Sequence, residues 1–339
     1  MGRYTEETTM RAIFTDPLLK PICKYLTFKP DRDTAAESRD KERLEQIPDV
    51  PLRKCASGWA SSGVVRGLNL LAQEIEHDRL NQYFIYGENN CSDDPMKRDV
   101  NVIRFLPREE AAANAEKPYI ILAGGGAYQW VSNMVESIPT AVHMVARGYT
   151  VFLLTYRVNT EKAALKSLDD LAAAIRYIAK HKGVLGIQTD RYVLGGFSAG
   201  ANLISNFGVP QLGYCKYSLP KPAALFPIYT FIDLKTQSNH NCIGDLLKPM
   251  FGSNYADYLD AYNIIDHINN TYPPCYIVCG KDDMSVPPVN SEQLMHLLQK
   301  AGVPAILEEG DHAPHAFGDG TGTDVEGWPD RAIDFLESL

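Results

Sequence analysis

The chain has 339 residues, 45% hydrophobic and 22% charged, which is ordinary globular material for one large or two average domains with a sizeable core. A formal net charge of -9 and a pI of about 5.4 exclude a basic nucleic-acid-binding surface and suit an enzyme acting on neutral molecules. No apolar run approaches the roughly 20 residues of a membrane span, and Met1 to Glu7 carries no hydrophobic signal segment, so a cytoplasmic protein with no membrane partner is expected.

Residues 1 to 80 read as an N-terminal helical extension, with apolar residues at helical spacing around Leu18 and Leu26. Asp31 to Glu45 is a mixed-charge run, a solvated face or loop. Gly67 to Ala72 opens an amphipathic stretch that ends near Leu80. Strands begin at Gln82 to Tyr86 and Asp99 to Leu106, the second alternating apolar and polar as a half-exposed strand does. Turn chemistry at Gly87 to Asn90 makes the pair an antiparallel edge hairpin. Pro107 to Lys117 is a polar, alanine-rich surface connection.

From Pro118 strands and helices alternate. Tyr119 to Leu122 is a buried strand running into Gly124-Gly125-Gly126, and Pro139 to Arg147 is a helix with Gly148 as its stop. Thr150 to Tyr156 is the next strand. A helix follows that opens on the capping pair Ser167 and Asp170. Buried strands at Tyr192 to Leu194, Ala223 to Tyr229, Cys275 to Cys279 and Ala305 to Leu307, with helices at Glu292 to Lys300 and Arg331 to Leu339, complete a mostly parallel α/β sheet covered on both faces. Residues 231–274 exceed a simple crossover and are expected to insert a cap over the site, within a catalytic domain spanning 81–339. The seven cysteines are odd in number and scattered, as for reduced thiols, and none has zinc spacing.

The chemistry centres on Gly196-Phe197-Ser198-Ala199-Gly200. A strand enters this Gly-x-Ser-x-Gly turn and a helix leaves it, lifting a serine hydroxyl above the sheet and aiming a helix N-terminus at developing negative charge. A serine needs a base, and the base an orienting acid, from loops after later strands in the chain order Ser, acid, His. Gly280 to Pro287 offers Asp282 and Asp283; Asp311 to Gly318 offers His312 and His315. An oxyanion hole is available from the backbone N–H groups of Gly125, Gly126 and Ala199. Gly124-Gly125-Gly126 is no dinucleotide fingerprint, because its third glycine would fall at Gln129.

These motifs, with Tyr156-Arg157, Leu168-Asp169-Asp170-Leu171 and His315-Ala316-Phe317-Gly318, resemble the α/β-hydrolase superfamily over residues 82 to 339. The chain is similar to carboxylesterases of the hormone-sensitive-lipase type and to acetylxylan and feruloyl esterase-like hydrolases. Those relatives usually place a histidine before the three glycines; here it is Ala123. The resemblance implies an α/β-hydrolase fold without cofactor or metal, and it selects Asp283 and His315 to serve Ser198. Pro314, by stiffening the loop before His315, favours the same base. The expected function is hydrolysis of short-chain acyl esters of small molecules, acylated sugars among them, through an acyl-enzyme. Tyr128, Trp130 and Phe197, with Tyr156, are expected to contact substrate, leaving a short acyl pocket. A prolyl-oligopeptidase-like exopeptidase and a non-catalytic ligand-binding homologue are the competing readings, and a homo-oligomer is left open.

Overall fold

Each apolar run becomes a strand: β1 (Asn81–Phe84), β2 (Asn101–Phe105), β3 (Tyr119–Ala123), β4 (Val151–Thr155), β5 (Tyr192–Phe197), β6 (Ala224–Ile228), β7 (Cys275–Gly280) and β8 (Ala305–Gly310). The longer helices are α1 (Ser61–Glu76), α2 (Ile138–Ala146), α3 (Ala163–Lys180), α4 (Ala199–Gly208), α5 (Gln237–Phe251), α6 (Val289–Lys300) and α7 (Trp328–Glu337). The computed structural model describes residues 2–27, 29, 49–56, 58–107 and 117–339, with backbone alone for 237–243. The run Asp31 to Glu45, most of the connection after Pro107, and the side chains of His240 and Cys242 lie outside the described residues.

The strands form one sheet in the order β1-β2-β4-β3-β5-β6-β7-β8. β1 and β2 pair antiparallel, as does β2 with β4, and every later pair is parallel. Topology and handedness place the helices. The step from β3 to β4 moves one way along the sheet and the step from β4 to β5 moves back. Right-handed crossovers therefore put α2 and α3 on opposite faces. Accordingly α2 packs with α1 and α7, while α3 packs with α4 and α5. Strands β3 to β7 are buried throughout, and a fully buried Val, Leu or Ile contributes about 1.5–3 kcal/mol.

Two local expectations are corrected. β2 is not half-exposed, for all five of its residues are buried. It lies inside the sheet between β1 and β4, which buries its polar residues as well. The Asn101 side chain accepts from Gln82 Nε2 at 3.0 Å, and Arg104 donates to the Val184 carbonyl at 3.2 Å. Ser167 and Asp170 do not cap α3, which begins four residues before Ser167. Asp170 instead sits fully buried and accepts from the Arg157 guanidinium and backbone N–H at 2.8–3.0 Å and from Tyr86 Oη at 2.8 Å. A buried carboxylate needs such partners, and a first-turn position facing water would not supply them.

The described residues among the first 80 contribute to the core. Tyr4, Ile13, Leu19, Ile22, Leu26, Leu52, Val64 and Leu68 are buried in one cluster with the sheet. Gly58 abuts the loop after β8, where a Cβ would stand 2.1 Å from the His315 carbonyl oxygen. The insertion places α5 against α3. Among the described residues, no helix is long and apolar enough to cross a membrane.

Candidate active site

Ser198 stands between the end of β5 and the first turn of α4, at φ 51° and ψ -115°. A non-glycine residue adopts this region only under strain, held by its surroundings. What holds it is the crossing of backbones. A Cβ on Gly196 would lie 2.3 Å from the Gly200 carbonyl oxygen, and one on Gly200 would lie 2.1 Å from that of Ala123. Only glycines let the turn close onto the end of β3. The Ser198 N–H donates to the Ile228 carbonyl at 3.0 Å, tying the turn to β6.

The loops after β7 and β8 bring Asp283 and His315 to this serine. His315 Nε2 is 3.1 Å from Ser198 Oγ, and His315 Nδ1 is 2.7 Å from Asp283 Oδ2. The backbone N–H groups of Ser285 and Val286 donate to Asp283 Oδ1, each at 2.8 Å, so the carboxylate is fixed on both sides. A carboxylate at Nδ1 keeps the proton on that nitrogen and leaves Nε2 to accept from the serine hydroxyl. Such a set can deprotonate a hydroxyl as it attacks a carbonyl. Asp282 and His312 form a second pair at 2.7 Å, but it points away. The His312 side chain is 73% exposed, against 21% for His315.

The glycine loop after β3 is anchored without the missing histidine. Tyr156 Oη donates to the Gly124 carbonyl at 2.6 Å, and the Ser132 N–H donates to that of Gly125 at 3.0 Å. Of the three N–H groups expected to form an oxyanion hole, one is already engaged. The Gly125 N–H already donates to Glu136 Oε2 at 2.5 Å. The N–H groups of Gly126 and Ala199 have no partner among the described residues.

The expected substrate contacts are corrected as well. Tyr128 and Phe197 expose no surface. Tyr128 Oη donates to Asn202 Oδ1 at 2.8 Å, and Phe197 packs between the rings of Tyr229 and Trp328. Tyr156 is buried too, holding the glycine loop. Of this group, Trp130 alone keeps partly exposed surface, with its indole beside Gly126 and its Nε1 donating to Ser132 Oγ at 2.9 Å. Aromatic residues near such a turn carry no mark in sequence of whether they face solvent or the core.

Comparison with known proteins bears on this geometry. The profile of the BD-FAE family matches residues 105–298, more than half of the chain. The chain belongs to the BD-FAE family of α/β hydrolases. This BD-FAE member is 24% identical over 229 residues to esterase LipQ of Mycobacterium tuberculosis, covering 64% of this chain and 54% of that one. It is 24% identical over 215 residues to endo-1,4-beta-xylanase B of Butyrivibrio fibrisolvens, covering 60% of this chain and 32% of that one. It thus spans about half or less of either relative. An acetyl ester-xyloside bifunctional hydrolase from Caldicellulosiruptor lactoaceticus shares the fold at TM-score 0.63 and 23% identity, covering 76% of this chain and 96% of that structure. A propionate-bound esterase from Thermogutta terrifontis does so at TM-score 0.57 and 21% identity, covering 76% and 91%.

Sequence reasoning missed two residues of this BD-FAE site, Glu136 and Tyr229. Glu136 was visible as a lone acid in the otherwise uncharged stretch Trp130 to Thr140, which marks a carboxylate buried with partners. Tyr229 carried no comparable signal. It follows β6 at φ 39° and places its ring 4.8 Å from that of His315.

Proposed function

We propose that this protein is a serine esterase that cleaves short-chain acyl esters, acylated sugars included, through an acyl-enzyme. The carrying observation is the chain of contacts Ser198 Oγ, His315 Nε2, His315 Nδ1, Asp283 Oδ2, at 3.1 and 2.7 Å, on a strained elbow after β5. Ser198 Oγ attacks the acyl carbon while its proton passes to His315 Nε2. Asp283 keeps the imidazole oriented and stabilises its protonated form. The carbonyl oxygen, now negative, takes the N–H groups of Gly126 and Ala199. Collapse expels the alcohol, which leaves with the proton from His315. Water then attacks the acyl-enzyme with His315 again as base, returning Ser198 and releasing the acid. The esterase and acetyl-ester hydrolase names among the relatives support the substrate class.

A short acyl group fits the bulk of Trp130 beside the glycine loop. The test is a panel of p-nitrophenyl acetate, butyrate and dodecanoate, acetylated xylo-oligosaccharides and aminoacyl anilides. Acetyl and butyryl esters are expected to give the highest kcat/KM, and a preference for dodecanoate or for anilides would refute the reading.

The glycine loop makes its own prediction. A Cβ on Gly125 would lie 2.8 Å from the Phe197 carbonyl oxygen and 3.0 Å from Ser198 Cβ. Gly125→Ala must therefore move the loop off the elbow and displace the Gly126 donor. The expected loss in kcat is on the order of 10²-fold, measured beside thermal melting to show the fold intact.

A further inference from the structure

Glu136 is 3% exposed, in a π-helical turn (Asn133–Ser137) that leads into α2. Such turns insert a residue into a helix and are frequent at functional sites. The carboxylate meets three segments of the site. Its Oε2 accepts from the Gly125 N–H at 2.5 Å. Its Oε1 accepts from Tyr229 Oη at 3.0 Å, and the Tyr229 ring lies against the His315 ring with centroids 4.8 Å apart. On the third side the loop after His315 backs onto the same turn, where a Cβ on Gly318 would stand 2.3 Å from the Val135 carbonyl oxygen. A buried acid that touches the oxyanion loop and the imidazole's neighbour exceeds what packing alone requires.

We propose that Glu136 is a positioning residue of the esterase site: by taking the Gly125 N–H it turns the loop so that Gly126, with Ala199, presents the oxyanion donors, and through Tyr229 it steadies the face of His315. The inference rests on the serine-esterase reading. Glu136 touches neither Ser198 nor the acyl carbon in this mechanism and acts through the groups it holds.

Its ionisation matters because both neighbours donate to it. Two donors, Gly125 N–H and Tyr229 Oη, converge on one carboxyl group. The carboxylate accepts both. The protonated acid can still accept from the Gly125 N–H only by placing its proton toward Tyr229 Oη, whose hydroxyl must then turn to accept. Protonation therefore reverses the Tyr229 contact and removes the charge that strengthens the Gly125 one. Burial pushes the Glu136 carboxyl up to about 7, opposed by the Gly125 and Tyr229 hydrogen bonds and by the charge on His315. The other titratable groups around it are accounted for. Tyr229 and Tyr156 are both held well above the usual tyrosine range by burial, so they remain neutral donors. Asp283 lies on the far side of His315, which it engages at 2.7 Å. Beyond Gly318, Asp319 is paired with Arg66 at 3.0 Å and His143 at 3.6 Å.

The experiment measures kcat and KM for p-nitrophenyl acetate from about pH 5 to about pH 9 in wild type, Glu136→Gln, Glu136→Ala and Tyr229→Phe. Fluorophosphonate labelling of wild-type Ser198 comes first. Failure to label that serine overturns the esterase reading and this inference together. Glu136→Gln keeps an acceptor for Gly125 without titrating. It is expected to retain kcat within about tenfold at neutral pH and to flatten the acid limb of kcat/KM, a limb expected to fall more steeply in wild type than one protonation allows. Glu136→Ala frees the loop and is expected to lose on the order of 10²-fold in kcat with KM within about threefold. Tyr229→Phe, which leaves Glu136 and the loop contact in place, is expected to lose about tenfold and to keep a steep acid limb. If Ser198 labels, yet Glu136→Gln keeps the wild-type acid limb, or a folded Glu136 variant changes KM rather than kcat, the positioning role is overturned.

Discussion

Ser198→Ala is expected to lower kcat on p-nitrophenyl acetate by about 10⁵ to 10⁶-fold, the largest effect of any single substitution in this chain. The serine is the one group of the site that forms a bond to the substrate in the proposed mechanism. Without Oγ, His315 has only water to activate, and the oxyanion donors and binding contacts supply the residual rate. The fold should be unaffected, because the strained backbone is held by the Gly196 and Gly200 crossings and by the Ser198 N–H to Ile228, all retained in alanine. Active-site titration, kcat and circular dichroism measured together check this. A folded variant with more than about a hundredth of the wild-type rate would remove Ser198 from the nucleophile's place.

The acid and the base are separated by a pair of comparisons. Asp283→Asn is expected to lower kcat by about 10³ to 10⁴-fold, since an amide at that position no longer fixes the proton on His315 Nδ1. The Asp283 side chain is 1% exposed and accepts from Ser285 N, Val286 N and His315, so no water can substitute for the lost partner. Asp282→Asn and His312→Ala should each stay within about tenfold of wild type, because the pair they form faces solvent, where an ion pair contributes little. The residual cost comes from Asp282 Oδ1, which accepts from the Ala313 N–H at 2.8 Å and so helps seat the loop two residues before His315. Steady-state kinetics on the three variants decide the matter. Reversed rankings would mean that Asp282 and His312 do the work.

Much of the fold was legible because burial leaves one-dimensional marks. Runs such as Ile120 to Leu122 and Val193 to Leu194 became the central strands, and the glycine spacing around Ser198 required a backbone crossing that the structure contains. The opposite placement of α2 and α3 follows from right-handed connection, but only once the structure supplies the strand order. Choosing Asp283 over Asp282 and His315 over His312 drew on family resemblance, since adjacent residues of one type are alike in sequence. In the structure they differ by which side of the loop faces Ser198.

What the amino-acid order determined by itself was therefore the strand and helix series, the serine elbow and the two loops that carry the paired aspartates and histidines. The tertiary structure alone decided which side chains are covered and by what. Tyr128 and Phe197 turn into the core because Asn202 and the rings of Tyr229 and Trp328 receive them there. Arg104 and Asn101 lie buried in β2 because it is an inner strand of the sheet. Glu136 reaches Gly125 because a π-helical turn carries it back under the glycine loop. Hydrophobic pattern records where apolar residues recur; whether these polar and aromatic side chains are covered, and by which neighbours, is information that exists only once distant segments have met.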